Sequence, residues 1–125
     1  MYSKKVMCLF KNPKHMGKIK NPDGVGQVGN PNCGDVMKVY IKVGKNKKDE
    51  EILKDVKVET FGCVAAISTS SQLTDMVIGK TIKEALKVTK KDVTDALGGL
   101  PLEKWHCSVL AVDALKSAVE NYKKK

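Results

Sequence analysis

Cys33 and Asp35 stand two residues apart in Gly29-Asn30-Pro31-Asn32-Cys33-Gly34-Asp35-Val36, where a turn-rich stretch runs into an alternating one. A thiolate is a soft ligand and a carboxylate a hard one, so the pair suits a borderline metal such as zinc or iron. Pro31 and Gly34 punctuate the backbone, and Gly34 lets the chain turn closely around whatever the two side chains face. Such a pair needs partners from elsewhere, and two more cysteines stand at comparable boundaries. Cys63 comes at or just before a helical pattern, where the positive end of the helix dipole favours the thiolate. Cys107 falls in the first turn of the clearest helical pattern in the chain. His106 precedes it, about 100° around the axis.

Three thiols, one carboxylate and one imidazole have the right type and number for one metal centre. Zinc takes four tetrahedral ligands from such groups. An iron–sulfur cluster usually takes four thiolates, so three with one weaker oxygen or nitrogen ligand would hold a cluster that can be surrendered. Spacing alone leaves a plainer alternative open, because no CxxC pair is present. In it Cys63 and Cys107 are core residues that start helices, Asp35 is a turn carboxylate and His106 a surface residue. Cys8, among Val6, Met7, Leu9 and Phe10, is expected to pack as a small buried or half-buried hydrophobe. His15 has no second ligand nearby and stays outside the site.

The elements that must position these groups follow from periodicity. Ser3 to Phe10 predicts a short helix stopped by Asn12-Pro13. Lys14 to Asn32 reads as a long loop, to which Val25, Val28 and the glycines at 24, 26 and 29 can add a short edge strand. Its glycines have no preceding strand and no following helix, so a dinucleotide fingerprint fails there. Val36 to Val43 alternates, with Met37, Val39, Ile41 and Val43 on one face and Lys38, Tyr40 and Lys42 on the other. Ile52 to Phe61 gives a second strand, and the polar turn between the two makes an antiparallel hairpin. That topology returns Phe61-Gly62-Cys63 beside Cys33-Gly34-Asp35. Ala65, Ala66, Ile67, Ser70, Leu73, Thr74 and Val77 form a helical stripe ending at Gly79. Thr81 and Thr89 open two further short helices. Cys107, Leu110, Ala111, Ala114, Leu115, Ala118, Val119 and Tyr122 form the buried stripe of the last helix.

The 125 residues, 42% of them hydrophobic, suit a single compact domain spanning 1–125 that buries roughly two thirds of its unfolded surface without help from a metal. No run of about 18 apolar residues is present, and charges interrupt the N-terminal apolar positions, so a soluble, cytoplasmic protein with reduced thiols is expected and a membrane role is not. The net charge of +9 is carried by dispersed lysines; there is no arginine, and only two Phe, three Tyr and one Trp are available for stacking. Base readout and single-strand binding want those residues, so no nucleic-acid partner is expected.

Three motifs taken together resemble a known family. They are Val28-Gly29-Asn30-Pro31-Asn32-Cys33-Gly34-Asp35-Val36-Met37; Thr60-Phe61-Gly62-Cys63 with the small-residue run ending Ser68-Thr69-Ser70-Ser71; and Leu100-Pro101 followed by Lys104-Trp105-His106-Cys107-Ser108-Val109-Leu110-Ala111. Their order and separation resemble the IscU/NifU N-terminal family of iron–sulfur cluster assembly scaffolds, over nearly the whole chain. The resemblance implies a small α/β (α+β) domain of SufE/IscU-like kind, a three-stranded antiparallel sheet with helices packed on one face. It implies a scaffold, not an enzyme: sulfur arrives from a cysteine desulfurase, iron is added, and a labile [2Fe–2S] cluster is built and passed to apo-proteins. Cys33, Cys63 and Cys107 match the family's three ligand cysteines, with Cys107 as the candidate persulfide acceptor. Asp35 matches the aspartate whose replacement goes with a longer-lived cluster, and His106 the histidine beside the last cysteine. Zinc is implied at the same site in the cluster-free form, and a monomer or a homodimer is compatible with it.

There are departures. Where well-studied bacterial members read Leu-Pro-Pro-Val-Lys, this chain has Leu100-Pro101-Leu102-Glu103-Lys104. The lost proline and valine and the added charge count against the Hsp70-type chaperone that grips that segment. The alternative is a SufU-like zinc-binding sulfur acceptor that stimulates a desulfurase without building a cluster. His106, and the lack of a long insertion between Cys63 and Cys107, count against it.

Overall fold

The computed structural model describes residues 3–13, 15–30, 35–60, 64–100 and 105–124; the side chains of Asn30, Asp35 and His106 are outside the description. Among these residues the order is α1 (Lys4–Lys11), β1 (Gly24–Asn30), β2 (Asp35–Lys45), β3 (Glu51–Thr60), α2 (Val64–Val77), α3 (Ile82–Ala85), α4 (Lys90–Ala96) and α5 (Trp105–Lys123). The strands form one antiparallel sheet in the order β1-β2-β3, with helices packed on one face as the resemblance implies.

Alternation settles the sheet's two faces. Met37, Val39 and Ile41 of β2 and Val56 and Val58 of β3 are buried, and Val39 lies opposite Val58 and Ile41 opposite Val56. The register shifts between Lys42 and Val43, which pair with Asp55 and Leu53. The extra residue, Lys54, is a β-bulge. It puts Leu53 on the core face three residues before Val56, where strict alternation would have turned it outward.

Tyr40 faces away from the helices, as its register requires, yet is only 6% exposed. Its hydroxyl donates to Glu59 Oε1 at 2.5 Å, and the Lys38 ammonium sits 5.2 Å from its ring centroid. Lys42, on the same face, donates to the Asn21 carbonyl. The outer face is thus built from a shielded aromatic rather than a bare polar surface.

The edge strand offered by Val25, Val28 and the glycines around them is present: β1 runs seven residues and pairs with β2 from Gly24↔Ile41 to Asn30↔Asp35, so the loop reading holds only for the residues before it. Its glycines are required by proximity: a Cβ on Gly26 would fall 2.3 Å from Ala118 N and 2.4 Å from Ala114 O of α5. Low strand propensity is overridden because only Gly opposite Ala lets the strand and helix backbones approach so closely. One expectation is corrected: Cys8 is exposed rather than buried or half-buried. Only Val6 and Leu9 of α1 are buried, a narrow stripe at i, i+3 spacing that leaves Cys8 well around the helix.

Helix α2 is buried on nearly every side, with Ser68, Thr69, Ser70, Ser71 and Thr74 among its buried residues. The hydroxyls are satisfied locally: Ser70 donates to Ile67 O, Thr74 to Ser71 O, and Ser68 to the Val6 carbonyl of α1. Helix α4 opens with a full capping box between Thr89 and Asp92. Thr81 caps α3 by accepting from Glu84 N.

Candidate metal centre

The site residues belong to three chain segments, and the described residues fix where each segment enters. Asp35 opens β2 with its backbone opposite Asn30. Thr60 closes β3 opposite Met37, and its hydroxyl donates to the Val36 carbonyl at 2.9 Å. The segment carrying Cys33 therefore ends, and the segment carrying Cys63 begins, on adjacent strands at one end of the sheet. Hairpin topology dictates this.

Helix α5 arrives at the same end. Gly24 faces Ala118 and Tyr122, while Gly26 faces Ala114 and Ala118. Two residues of β1 thus correspond to four of α5, in keeping with rises of about 3.4 and 1.5 Å per residue. Continued to Asn30, that correspondence reaches the first two turns of α5, level with Cys107.

The first turn of α5 is tied down by hydroxyls as well as by apolar packing. Cys107 is 0% exposed within the hydrophobic core. Its carbonyl lies 3.4 Å from Thr69 Oγ1 of α2, a hydroxyl also 3.1 Å from Ala66 O. Ser108, equally buried, has its Oγ 2.9 Å from Thr94 Oγ1 of α4. Trp105 Nε1 donates to the Leu100 carbonyl at 3.1 Å. The sequence places Thr69 and Ser108 inside two of the motifs yet gives neither them nor Thr94 a tying role, because a hydroxyl on a helix carries no periodic signal.

Of the proposed ligands, Cys33 and Cys63 lie outside the described residues. Asp35 and His106 are placed by backbone only, at the starts of β2 and α5, and Cys107 is placed fully. Among the described residues no three His, Cys, Asp or Glu side chains converge on one point; two of the three thiols expected to do so are not among them. His15, kept outside the site by its sequence context, pairs with Asp75 at 3.9 Å. No helix among the described residues is long and apolar enough to cross a membrane.

A three-stranded antiparallel sheet with helices on one face places the chain in a class of small α+β proteins. A solved structure titled as a candidate iron–sulfur cluster assembly scaffold protein for the SUF system, from Fervidobacterium islandicum, superposes with a TM-score of 0.69 at 26% identity, over 94% of this chain and 96% of that one. The NifU-like N terminal domain model matches residues 1–125, and the chain belongs to that family. Among curated relatives, the iron–sulfur cluster assembly scaffold protein IscU 1 of Archaeoglobus fulgidus is 56% identical over 125 residues, all of this chain and 78% of that protein. IscU of Aquifex aeolicus is 45% identical over 121 residues, 97% of this chain and 75% of its own length.

Proposed function

We propose that this chain is an iron–sulfur cluster assembly scaffold, and that Cys33, Cys63 and Cys107 hold the nascent cluster with Asp35 or His106 as the exchangeable fourth ligand. The observation that carries this reading is membership of the NifU-like N terminal domain family over residues 1–125. The arrival of β2, β3 and α5 at one end of the molecule supports the ligand set. Two strand ends and one helix start border the segments that carry these groups, which lie about 30 and 44 residues apart in sequence, and a site assembled by folding would need such an arrangement.

The cluster is cargo. Three thiolates and one weaker ligand suit a [2Fe–2S] centre that must be released to an apo-protein. Sulfur would come from a cysteine desulfurase, with Cys107 as acceptor; iron is the second substrate. The same ligand set fits zinc in the cluster-free form. The role is that of a carrier rather than a turnover enzyme, in the cytoplasm, as a monomer or homodimer. Anaerobic reconstitution with ferrous iron and either sulfide or a desulfurase supplied with cysteine and a thiol reductant, which brings the persulfide sulfur to the sulfide level, should give the visible absorption and Mössbauer signature of a [2Fe–2S] centre. Cys33→Ser, Cys63→Ser and Cys107→Ser should each lose it. Unchanged cluster binding in all three would overturn the assignment.

The second reading is a SufU-like zinc-binding sulfur acceptor that stimulates its desulfurase without building a cluster, because the same thiol, carboxylate and imidazole groups suit zinc. Metal analysis of anaerobically purified protein separates the two. Stoichiometric zinc with no transferable cluster after reconstitution would select the second.

A further inference from the structure

We infer that Thr94 and Ser108 are positioning residues that latch the first turn of α5 onto α4 and thereby govern access to the Cys107 thiol. The inference deepens the scaffold reading, on which its relevance to cargo rests. Its physical basis is independent of that reading.

The direction of the latch follows from donor counting. A threonine hydroxyl has one hydrogen to give. Thr94 Oγ1 gives its hydrogen to the Lys90 carbonyl at 2.8 Å, so in the 2.9 Å contact between the two hydroxyls Ser108 donates and Thr94 accepts. The result is a directed chain from α5 through Ser108 and Thr94 to the backbone of α4. Both side chains are buried, Ser108 at 0% and Thr94 at 3% exposure, so water does not compete for the bond. Its far end is firm, because α4 carries its own capping box and Val93 within it and Leu97 just after it are completely buried. On the opposite side, the single Thr69 hydrogen is shared between Ala66 O at 3.1 Å and Cys107 O at 3.4 Å. The nearer acceptor lies within its own helix, so the tie from α2 is the weaker one.

Cys107 precedes Ser108 directly and is fully buried, while a sulfur acceptor or cluster ligand must meet its partners. Moving the turn that the latch holds would uncover the thiol. With a hydroxyl pair there instead of a methyl pair, the contact between α4 and the docked turn includes a directional bond that is lost over a small displacement. Dispersion contacts would weaken more gradually.

The test uses the full chain, treated with a chelator, and measures alkylation of each cysteine by peptide mass spectrometry. Exposed Cys8 serves as an internal reference for the unprotected rate. Thr94→Val keeps the shape but removes the acceptor and strands the buried Ser108 hydroxyl; Cys107 alkylation should rise about tenfold or more relative to Cys8, the ratio expected for one buried hydrogen bond lost. Thr94→Ser should restore protection, and Ser108→Ala, which buries no orphaned donor, should give a smaller rise. Hydrogen exchange should localise the change to the first turn of α5. An unchanged Cys107 rate in Thr94→Val, or protection lost equally throughout α5 and the sheet, overturns the latch. Failure of the wild-type chain to form any cluster would instead sink the scaffold reading and leave the thiol result standing.

Discussion

Asp35 is the residue at which chemistry and architecture meet most closely. It opens β2, pairs through its backbone with Asn30, and stands two residues from a proposed thiolate ligand. A carboxylate is a poor match for soft iron–sulfur chemistry compared with a thiolate, which suits it to a position that must be vacated. Replacing Asp35 with Ala should slow transfer of a preformed cluster to an apo-ferredoxin while leaving assembly intact. Transfer at the wild-type rate, followed by visible circular dichroism, would remove Asp35 from the release step. The proposed site could be picked out at this scale because thiol, carboxylate and imidazole are rare enough to notice beside turn residues. Cys8 shows the limit: on an amphipathic octapeptide, sequence leaves the width of the buried stripe open, and only packing against α2 decides that Cys8 faces outward.

Among the elements, the contact between β1 and α5 sets how the sheet end and the helix start meet. With backbone atoms of Ala114 and Ala118 within 2.4 Å of a Cβ placed on Gly26, Gly26→Ala cannot be absorbed by a side-chain rotation. The strand or the helix must shift, and stability should fall by more than about 2 kcal/mol, read as a lower urea midpoint. A midpoint within error of wild type would show that the contact yields freely. This contact also explains what sequence concealed. The hairpin β2–β3 and the stripe of α5 were readable because their apolar periods are local. In β1, by contrast, the core-facing Gly24 and Gly26 carry no apolar signal, and their meaning lies in alanines about 90 residues away. The far end of α5 is pinned by the Tyr122 hydroxyl donating to Glu51 at the start of β3. That bond, then desolvation and the charges of Glu51 and Asp23, raise the Tyr122 pKa above its ordinary value of 10.0. The folded protein therefore keeps the phenolic proton where the unfolded chain loses it. The contribution is intact below about pH 10 and is lost as pH climbs through the raised value. Comparing wild type with Tyr122→Phe by urea unfolding across that range cancels the many lysine titrations. The variant should show the shallower alkaline decline, and identical slopes would mean the bond carries no linkage.

For the whole molecule, the question is how one ion or cluster can matter to a chain whose core is already complete. The buried cluster runs from Val6 through the sheet to Val119, so folding does not wait on metal as it does in a zinc finger. Binding by the proposed ligands would still draw on the free energy of the fold, because β2, β3 and α5, which border their segments, pack together only in the folded chain. A ligand taken up by the folded state alone stabilises it by about 2.7 kcal/mol at a hundredfold excess over Kd. For a chain of 125 residues this amounts to a rise of several degrees in melting temperature, given about 2–8 °C per kcal/mol across domains of 60–250 residues. Zinc titrated into chelator-treated protein should raise Tm in that way, saturating at one equivalent, and the triple Cys33→Ser, Cys63→Ser, Cys107→Ser variant should show no rise. Should the triple variant respond like wild type, the ion binds elsewhere, and the basic surface with its scattered carboxylates would have to be searched for the ligands. Should only the loss of Cys107 abolish the response, Cys33 and Cys63 would not belong to the same centre. In that case the strand end and the helix start would meet for packing alone.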